Sequence, residues 1–578
     1  MNRRTHTAIA AAIAAALTLG LGACSSTGGD AGDGGQQGVT TEGNGIIGGT
    51  PVKGGTLTIL SNQDFDQLDP ARNWTMPVMD VGVRMLYRTL TTFKAAPGSE
   101  GLKIEPDLAT DLGTPSDGAK TWTFHLKDGL KYEDGTAITA DDIKYNVERS
   151  FSPELPGGPD YAVRYLNAPA GYQGPLKGER LGKEAIEVPD AKTIVFHLKR
   201  PVAEFGYTVT LPTFAPVPKA KETGANYSNH PVSSGPYKIE TYDRGKRMVL
   251  VRNTNWDPKS DTVRKAYPDR IVVDQTLKGT GIADRLIADQ GEDRNAISYV
   301  DLTPSKISEV LTNPDVKKRL ISENAGCTTK LDMNTTKAPF DNAKVRLAMQ
   351  YAVDKEAFAA TTGGPAFNDI ATTYLPPVLT AGNPIDHFQI KPAGDPEKAK
   401  ALLTEAGLPN GFETELVTST GGKPQAEAIQ AALKRVNVNV TITTVDPTAV
   451  NSIIGDKDKQ PGLANLGWCP DYPSAATFLP MIFDGRQIKD KGNQGDITRF
   501  NDPETIAELD RIADMADLQK ANTAWLALDA KIMDKSPAVP LVWQKKPLLV
   551  GSNIAGAYAH PVWAGQIDYA VIGLKSVG

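Results

Sequence analysis

Segments with strand periodicity and segments with helix periodicity alternate from residue 56 to the C-terminus, so the chain must pack helices against sheets. Residues 56–60, 121–127, 193–199 and 248–253 read as strands, and residues 414–419 and 438–445 add two more. Helix starts are equally marked. In Ile138-Thr139-Ala140-Asp141-Asp142-Ile143, Thr139 caps, Asp142 stands at N3, and Ile138 and Ile143 are placed as a hydrophobic staple. Asp341 is expected to open a second helix, with Val345, Ala348, Met349 and Ala352 on one face. Asp395-Pro396 starts a third that Gly407 ends, and Asp502-Pro503 starts a helical region reaching Lys535. The class is α/β or α+β with more than one sheet, and 578 residues allow two to four domains.

The N-terminus reads differently. Arg3 and Arg4 precede an apolar run from Ala8 to Leu21, shorter than the roughly 20 residues a spanning helix needs. Residues 1–23 therefore read as a signal peptide. Leu21-Gly22-Ala23-Cys24 resembles a bacterial lipobox, which would put lipid on Cys24 and hold the protein on a membrane surface. Residues 25–52 carry ten glycines among Ser, Thr, Asp and Gln, so 24–52 is expected to be a flexible tether.

Catalytic and nucleic-acid signatures are lacking. A net charge of -6 and no basic stripe argue against a nucleic-acid partner. There is no H-E-x-x-H, G-x-S-x-G, Walker loop or G-x-G-x-x-G. His6, His125, His197, His230, His387 and His560 are scattered, with no pair at metal-ligand spacing. No catalytic residue, metal or cofactor is therefore expected. Of three cysteines, Cys24 is taken by the lipobox. Cys327 and Cys469 are left either as one disulfide or as two buried thiols.

Several segments together resemble the extracytoplasmic solute-binding proteins of family 5, which serve ABC importers for peptides and nickel. The likeness is carried by Pro106-Asp107-Leu108-Ala109-Thr110, residues 121–129, Asp134-Gly135 and residues 139–146. Gly54-Gly55, Ser234-Gly235-Pro236-Tyr237, Arg252-Asn253 with Trp256, and Pro339-Phe340-Asp341 with Arg346 support it. Trp468-Cys469-Pro470-Asp471-Tyr472 is similar to the W-C-A-D-Y stretch of the oligopeptide-binding members, whose cysteine is bonded to one placed as Cys327 is here. The resemblance thus implies a Cys327–Cys469 disulfide.

It also implies an α/β, two-lobed periplasmic-binding-protein-like fold with an inserted extra subdomain and a ligand cleft between the lobes. Lobe I would take residues 53–326 and 538–578, with the insertion near 93–185, and lobe II residues 327–537. Asp471 would receive the α-ammonium of a short peptide ligand, and Trp468 would wall the adjoining pocket beside Gly467 and Tyr472. Asp64 and Phe65, after the first strand, and Tyr374 are further cleft candidates, whereas Arg346 is assigned to structural support. The implied partners are an ABC permease with its ATPase, and the implied state is a monomer. Pro470, Ser474 and Ala475 depart from the family pattern, leaving an oligosaccharide or a nickel chelate as alternative ligands. A secreted hydrolase or a sensor lipoprotein is the alternative of another class.

Overall fold

A computed structural model describes residues 46–65, 67–379 and 384–577. The signal peptide, Cys24 and the tether up to residue 45 lie outside them. Residues 46–52, grouped by composition with the tether, lie along the body instead. Ile47 N donates to Ala557 O at 2.8 Å and Val52 N to Leu574 O at 2.9 Å.

β1 (Thr56–Leu60) buries Leu57 and Ile59 on one face, as its alternation requires. The chain then builds an antiparallel sheet from β2 (Thr114–Ser116), β3 (Thr121–His125), β4 (Ile186–Asp190) and β5 (Thr193–His197), in spatial order β2-β3-β5-β4. The two similar Phe-His-Leu-Lys segments are partners here, Thr121 facing His197 and His125 facing Thr193. It returns with β6 (Tyr237–Asp243), β7 (Arg247–Arg252), β8 (Arg270–Asp274) and β9 (Ala296–Ser298), completing a five-stranded sheet ordered β9-β1-β8-β7-β6. β9, β1 and β8 run parallel.

A six-stranded sheet follows, from β10 (Leu320–Met333), β11 (Asn368–Ile370), β12 (Phe412–Ser419), β13 (Val438–Val445), β14 (Leu463–Trp468) and β15 (Ala538–Leu549). Its order is β11-β15-β10-β14-β12-β13, and β12 runs parallel to both β13 and β14. The connecting helices Lys423–Lys434 and Pro447–Ile454 cover opposite faces. Ile429 and Leu433 pack with Leu463, whereas Ile454 packs with the next residue, Ala464.

Most helix starts match their capping signals. Thr139 N donates to Asp142 Oδ2 at 2.8 Å, closing the expected capping box on Ala140–Arg149. One is displaced. Asn342, rather than Asp341, caps Ala343–Ala352, because a turn from Pro339 O to Asn342 N closes first. The region from Pro503 divides into Pro503–Ala513 and Leu518–Lys535, the second re-capped by Asp517.

β10 and β15 connect the two halves. At one end Leu320 and Leu549 pack with Leu60 and Leu286, and at the other Leu331, Met333, Val539 and Leu541 pack with Phe340 and Leu416. Their register shifts between Asn324 and Thr328, where Gly326 adopts φ +71°. β10 pairs antiparallel with β14, Thr328 opposite Trp468, so the next residues along the ladder are Cys327 and Cys469. Their Cα atoms stand 4.2 Å apart and the sulfurs are bonded. Closing a loop of 142 residues stabilises by up to about 5 kcal/mol in the chain-entropy account. The double variant Cys327→Ser/Cys469→Ser should lose about 3–5 kcal/mol in denaturant unfolding, and unchanged stability would show that the bridge contributes nothing.

Candidate functional site

The parallel strands of both sheets direct their C-terminal ends toward one crevice, the place where open α/β sheets bind ligands. Beyond the ends of β12 and β13 lies a cavity of about 470 Å³. Thr418, Ser419, Gln425, Asn451 and Asn465 line it from the six-stranded half, and Asp301, just past β9, from the other. Gln425 Oε1 and Asn465 Oδ1 are buried there without a hydrogen-bond partner. A second cavity, about 610 Å³, shares Asn451 and Leu466 with the first and continues past Gly467 and Trp468 to Trp74 of the opposite half.

The backbone of β14 bears directly on this crevice. β14 pairs with β10 along its whole length but with β12 only at Leu463 and Ala464. The β12 side of Asn465–Gly467 is thus an open strand edge beside the cavities.

The 468–477 segment is tied to itself through Thr477, which is fully buried. Trp468 Nε1 donates to Thr477 O at 3.1 Å, and Asp471 N donates to Thr477 Oγ1 at 3.2 Å. Thr477 Oγ1 in turn donates to Ser474 O at 2.9 Å. Pro470 costs no ladder bond, since β14 ends at Trp468.

The expected site residues separate into three groups. Gly467 and Trp468 line the second cavity. Asp471 is half-buried and accepts a hydrogen bond from Tyr161 Oη, while Tyr472 is fully buried against the opposite half. Burial raises the Asp471 carboxyl to about 6, opposed by the Tyr161 hydrogen bond and the nearby Arg164 charge. Asp64 is taken up by Tyr242 Oη at 2.5 Å and Arg244 Nε at 3.3 Å. Phe65 and Tyr374, expected at the cleft, are core residues. Phe65 packs edge-on against Tyr299 at 5.2 Å; Tyr374 donates to Ala538 O at 2.7 Å with its ring on Phe483. Large aromatic rings in this fold serve the lobe cores as readily as the cleft. Arg346 is structural, donating to Lys535 O and Phe340 O. Tyr161, Trp74, Asp301 and Gln425 were not evident in the sequence, because each reaches the crevice from a separate segment with no motif of its own.

Among the described residues no group of three or more His, Cys, Asp or Glu side chains could hold a metal ion, and no helix is long and apolar enough to cross a membrane.

Two sheets joined by a pair of crossing strands, with a crevice at their facing C-terminal ends, define a two-lobed binding protein. The chain belongs to family 5 of the bacterial extracellular solute-binding proteins, whose model, described as "family 5 Middle", matches residues 103–490. It is 26% identical over 484 residues to the glutathione-binding protein GsiB of Salmonella typhimurium, covering 81% of this chain and 86% of that one. It is also 26% identical over 482 residues to heme-binding protein A of Haemophilus influenzae, covering 79% and 81%. Among solved structures it resembles clavulanic acid biosynthesis oligopeptide binding protein 2, with 34% identity, a TM-score of 0.86, and coverage of 93% of this chain and 98% of that one. The fold is shared with DppA from Helicobacter pylori in complex with the peptide STSA, at a TM-score of 0.69 and 22% identity over 91% and 99% of the chains. The protein is an extracytoplasmic solute-binding protein.

Tyr161→Phe removes the hydroxyl that holds the Asp471 carboxyl down. In a carboxyl-carbon NMR titration the Asp471 midpoint should rise further above 6; an unmoved midpoint would mean that this hydrogen bond does not set it.

Proposed function

We propose that the protein captures short peptides in the crevice and delivers them to the permease of an ABC importer. The open edge of β14 carries the reading. An extended peptide laid along Asn465–Gly467 would gain main-chain hydrogen bonds whatever its sequence. The unpartnered carbonyl oxygens of Gln425 and Asn465 would accept further N–H groups. An oligopeptide-binding protein and a peptide complex among the structural relatives support the same ligand class.

In this reading Asp471 receives the ligand's α-ammonium, Tyr161 supplying a neutral donor in its place when no ligand is bound. Trp468, Gly467 and Trp74 wall the adjoining pocket. We assign lobe I to residues 53–326 with the C-terminal segment and lobe II to the residues between, with the hinge at the register shift around Gly326 in β10. β15 serves both lobes, Val539 and Leu541 packing in one core and Leu548 in the other. The lipobox-like Leu21-Gly22-Ala23-Cys24 supports lipid anchoring through Cys24, with the glycine-rich segment as the tether. The protein would act as a monomer.

Asp471→Ala should weaken peptide binding by about 2–5 kcal/mol, because the buried ammonium loses its counter-charge. N-terminal acetylation of the peptide should cost the parent protein a similar amount. An ammonium lowers the carboxyl from its ligand-free value near 6, so binding releases a proton below that pH. Affinity should therefore hold above pH 6 and decline as pH falls through it. Calorimetry across pH 4.5–7.5 with free and acetylated peptides reads all three effects. Equal affinities for the two peptides would remove Asp471 from the ammonium site. Native mass spectrometry of protein from its own host should show a bound peptide mass, and a bound saccharide would replace the ligand class.

A further inference from the structure

Glu204 belongs to no motif in the sequence and to neither cavity on the crevice side, yet it is a buried carboxylate on the lobe boundary. It stands at the head of the short helix Phe205–Thr208, whose Phe205 packs in the core of lobe I against Phe196 and Phe214. Its two carboxylate oxygens are each satisfied from lobe II. Ser474 Oγ donates to Oε2 at 2.5 Å and Tyr472 Oη to Oε1 at 3.1 Å. Thr208 Oγ1 donates back to Tyr472 Oη at 3.3 Å, completing a small buried network.

Tyr472 gives this contact its mechanical meaning. Among the described residues it is the one side chain between residues 322 and 547 that belongs to the main core cluster of lobe I. Its ring lies 5.5 Å from Tyr161 and 6.4 Å from Tyr207, and it is fully buried. The neighbouring lobe II residues Phe478 and Leu479 pack in a different cluster. Tyr472 is therefore a plug from one lobe seated in the other. Beside Glu204, on the side of Trp525, a cavity of about 570 Å³ runs along the boundary.

We propose that Glu204, Tyr472 and Ser474 form a clasp between the lobes that holds the cleft closed without help from the ligand. Glu204 is then a positioning residue. By gripping residues 472 and 474 from across the boundary it fixes Asp471, between the disulfide and the clasp, in reach of Tyr161 and of whatever occupies the crevice. The hydroxyl at 474 is essential to this. A carboxylate there would face that of Glu204 in a site shielded from water, where like charges repel strongly. The clasp does not depend on the identity of the ligand.

The test uses the ligand-free protein, so it stands or falls separately from the peptide reading. Ser474→Asp should hold the lobes apart, raising the open population at least tenfold and with it the radius of gyration in small-angle X-ray scattering. Circular dichroism should remain that of the parent. Adding Glu204→Gln to Ser474→Asp replaces the facing carboxylate with an amide that donates to Asp at 474, and should return the radius to the parent value. A merely structural role for Glu204 would not produce this rescue. Equal radii for the parent and Ser474→Asp would overturn the proposal, as would an opened Ser474→Asp protein that Glu204→Gln fails to close.

Discussion

The antiparallel pairing of β10 with β15 is the constraint on which the rest of the molecule depends. These two strands are long enough to leave one hydrophobic core and enter the other, so they join the two halves of the molecule. The shift in register around Gly326 interrupts the ladder between the cores.

The disulfide acts next to that point. Cys327 lies within the shifted stretch, one residue after Gly326, and Cys469 lies one residue beyond the end of β14. The bond therefore anchors the base of the 468–477 segment to β10, which runs between the two halves. Thr477 knots the segment's far end, and the intervening residues can present side chains in two directions. Trp468 turns into the crevice cavity, while Tyr472 and Ser474 turn to the other lobe. Asp471 lies between them. The crevice wall and the contact between the halves thus share one covalently braced stretch of ten residues, from Trp468 to Thr477.

Local signals were legible to the extent that their physics is local. The capping box at Thr139, the strand Val438–Val445 and the start at Asp395 need only neighbouring residues to form, and each is found where its pattern places it. Asn342 displaced Asp341 as a cap because a preceding turn, invisible to propensity, claimed the backbone first. The disulfide followed from family resemblance, and the ladder register explains it: Cys327 and Cys469 are simply the next opposed pair. Phe65 and Tyr374 show the limit. An aromatic residue in a loop beside a cleft has the same sequence appearance whether its ring faces ligand or core, and both rings face core. Glu204 and Tyr161 had no signal at all, since their importance arises only when lobes far apart in sequence meet.

Electrostatics separates the two carboxylates on the boundary into different roles. Burial raises both above the ordinary range, with hydrogen bonds opposing it in each. Glu204 is buried with both oxygens bonded from the opposite lobe, whereas Asp471 is half-buried and holds one neutral donor that a cationic ligand group can outcompete. Amide hydrogen exchange, followed with and without a mixture of tri- to pentapeptides bearing free N-termini, tests the central claim most directly. Slowed exchange is expected at residues 465–468 and 418–422, on the open edge of β14 and the end of β12. Unchanged exchange there, with protection instead around the separate cavity of Glu133 and His230, would contradict it.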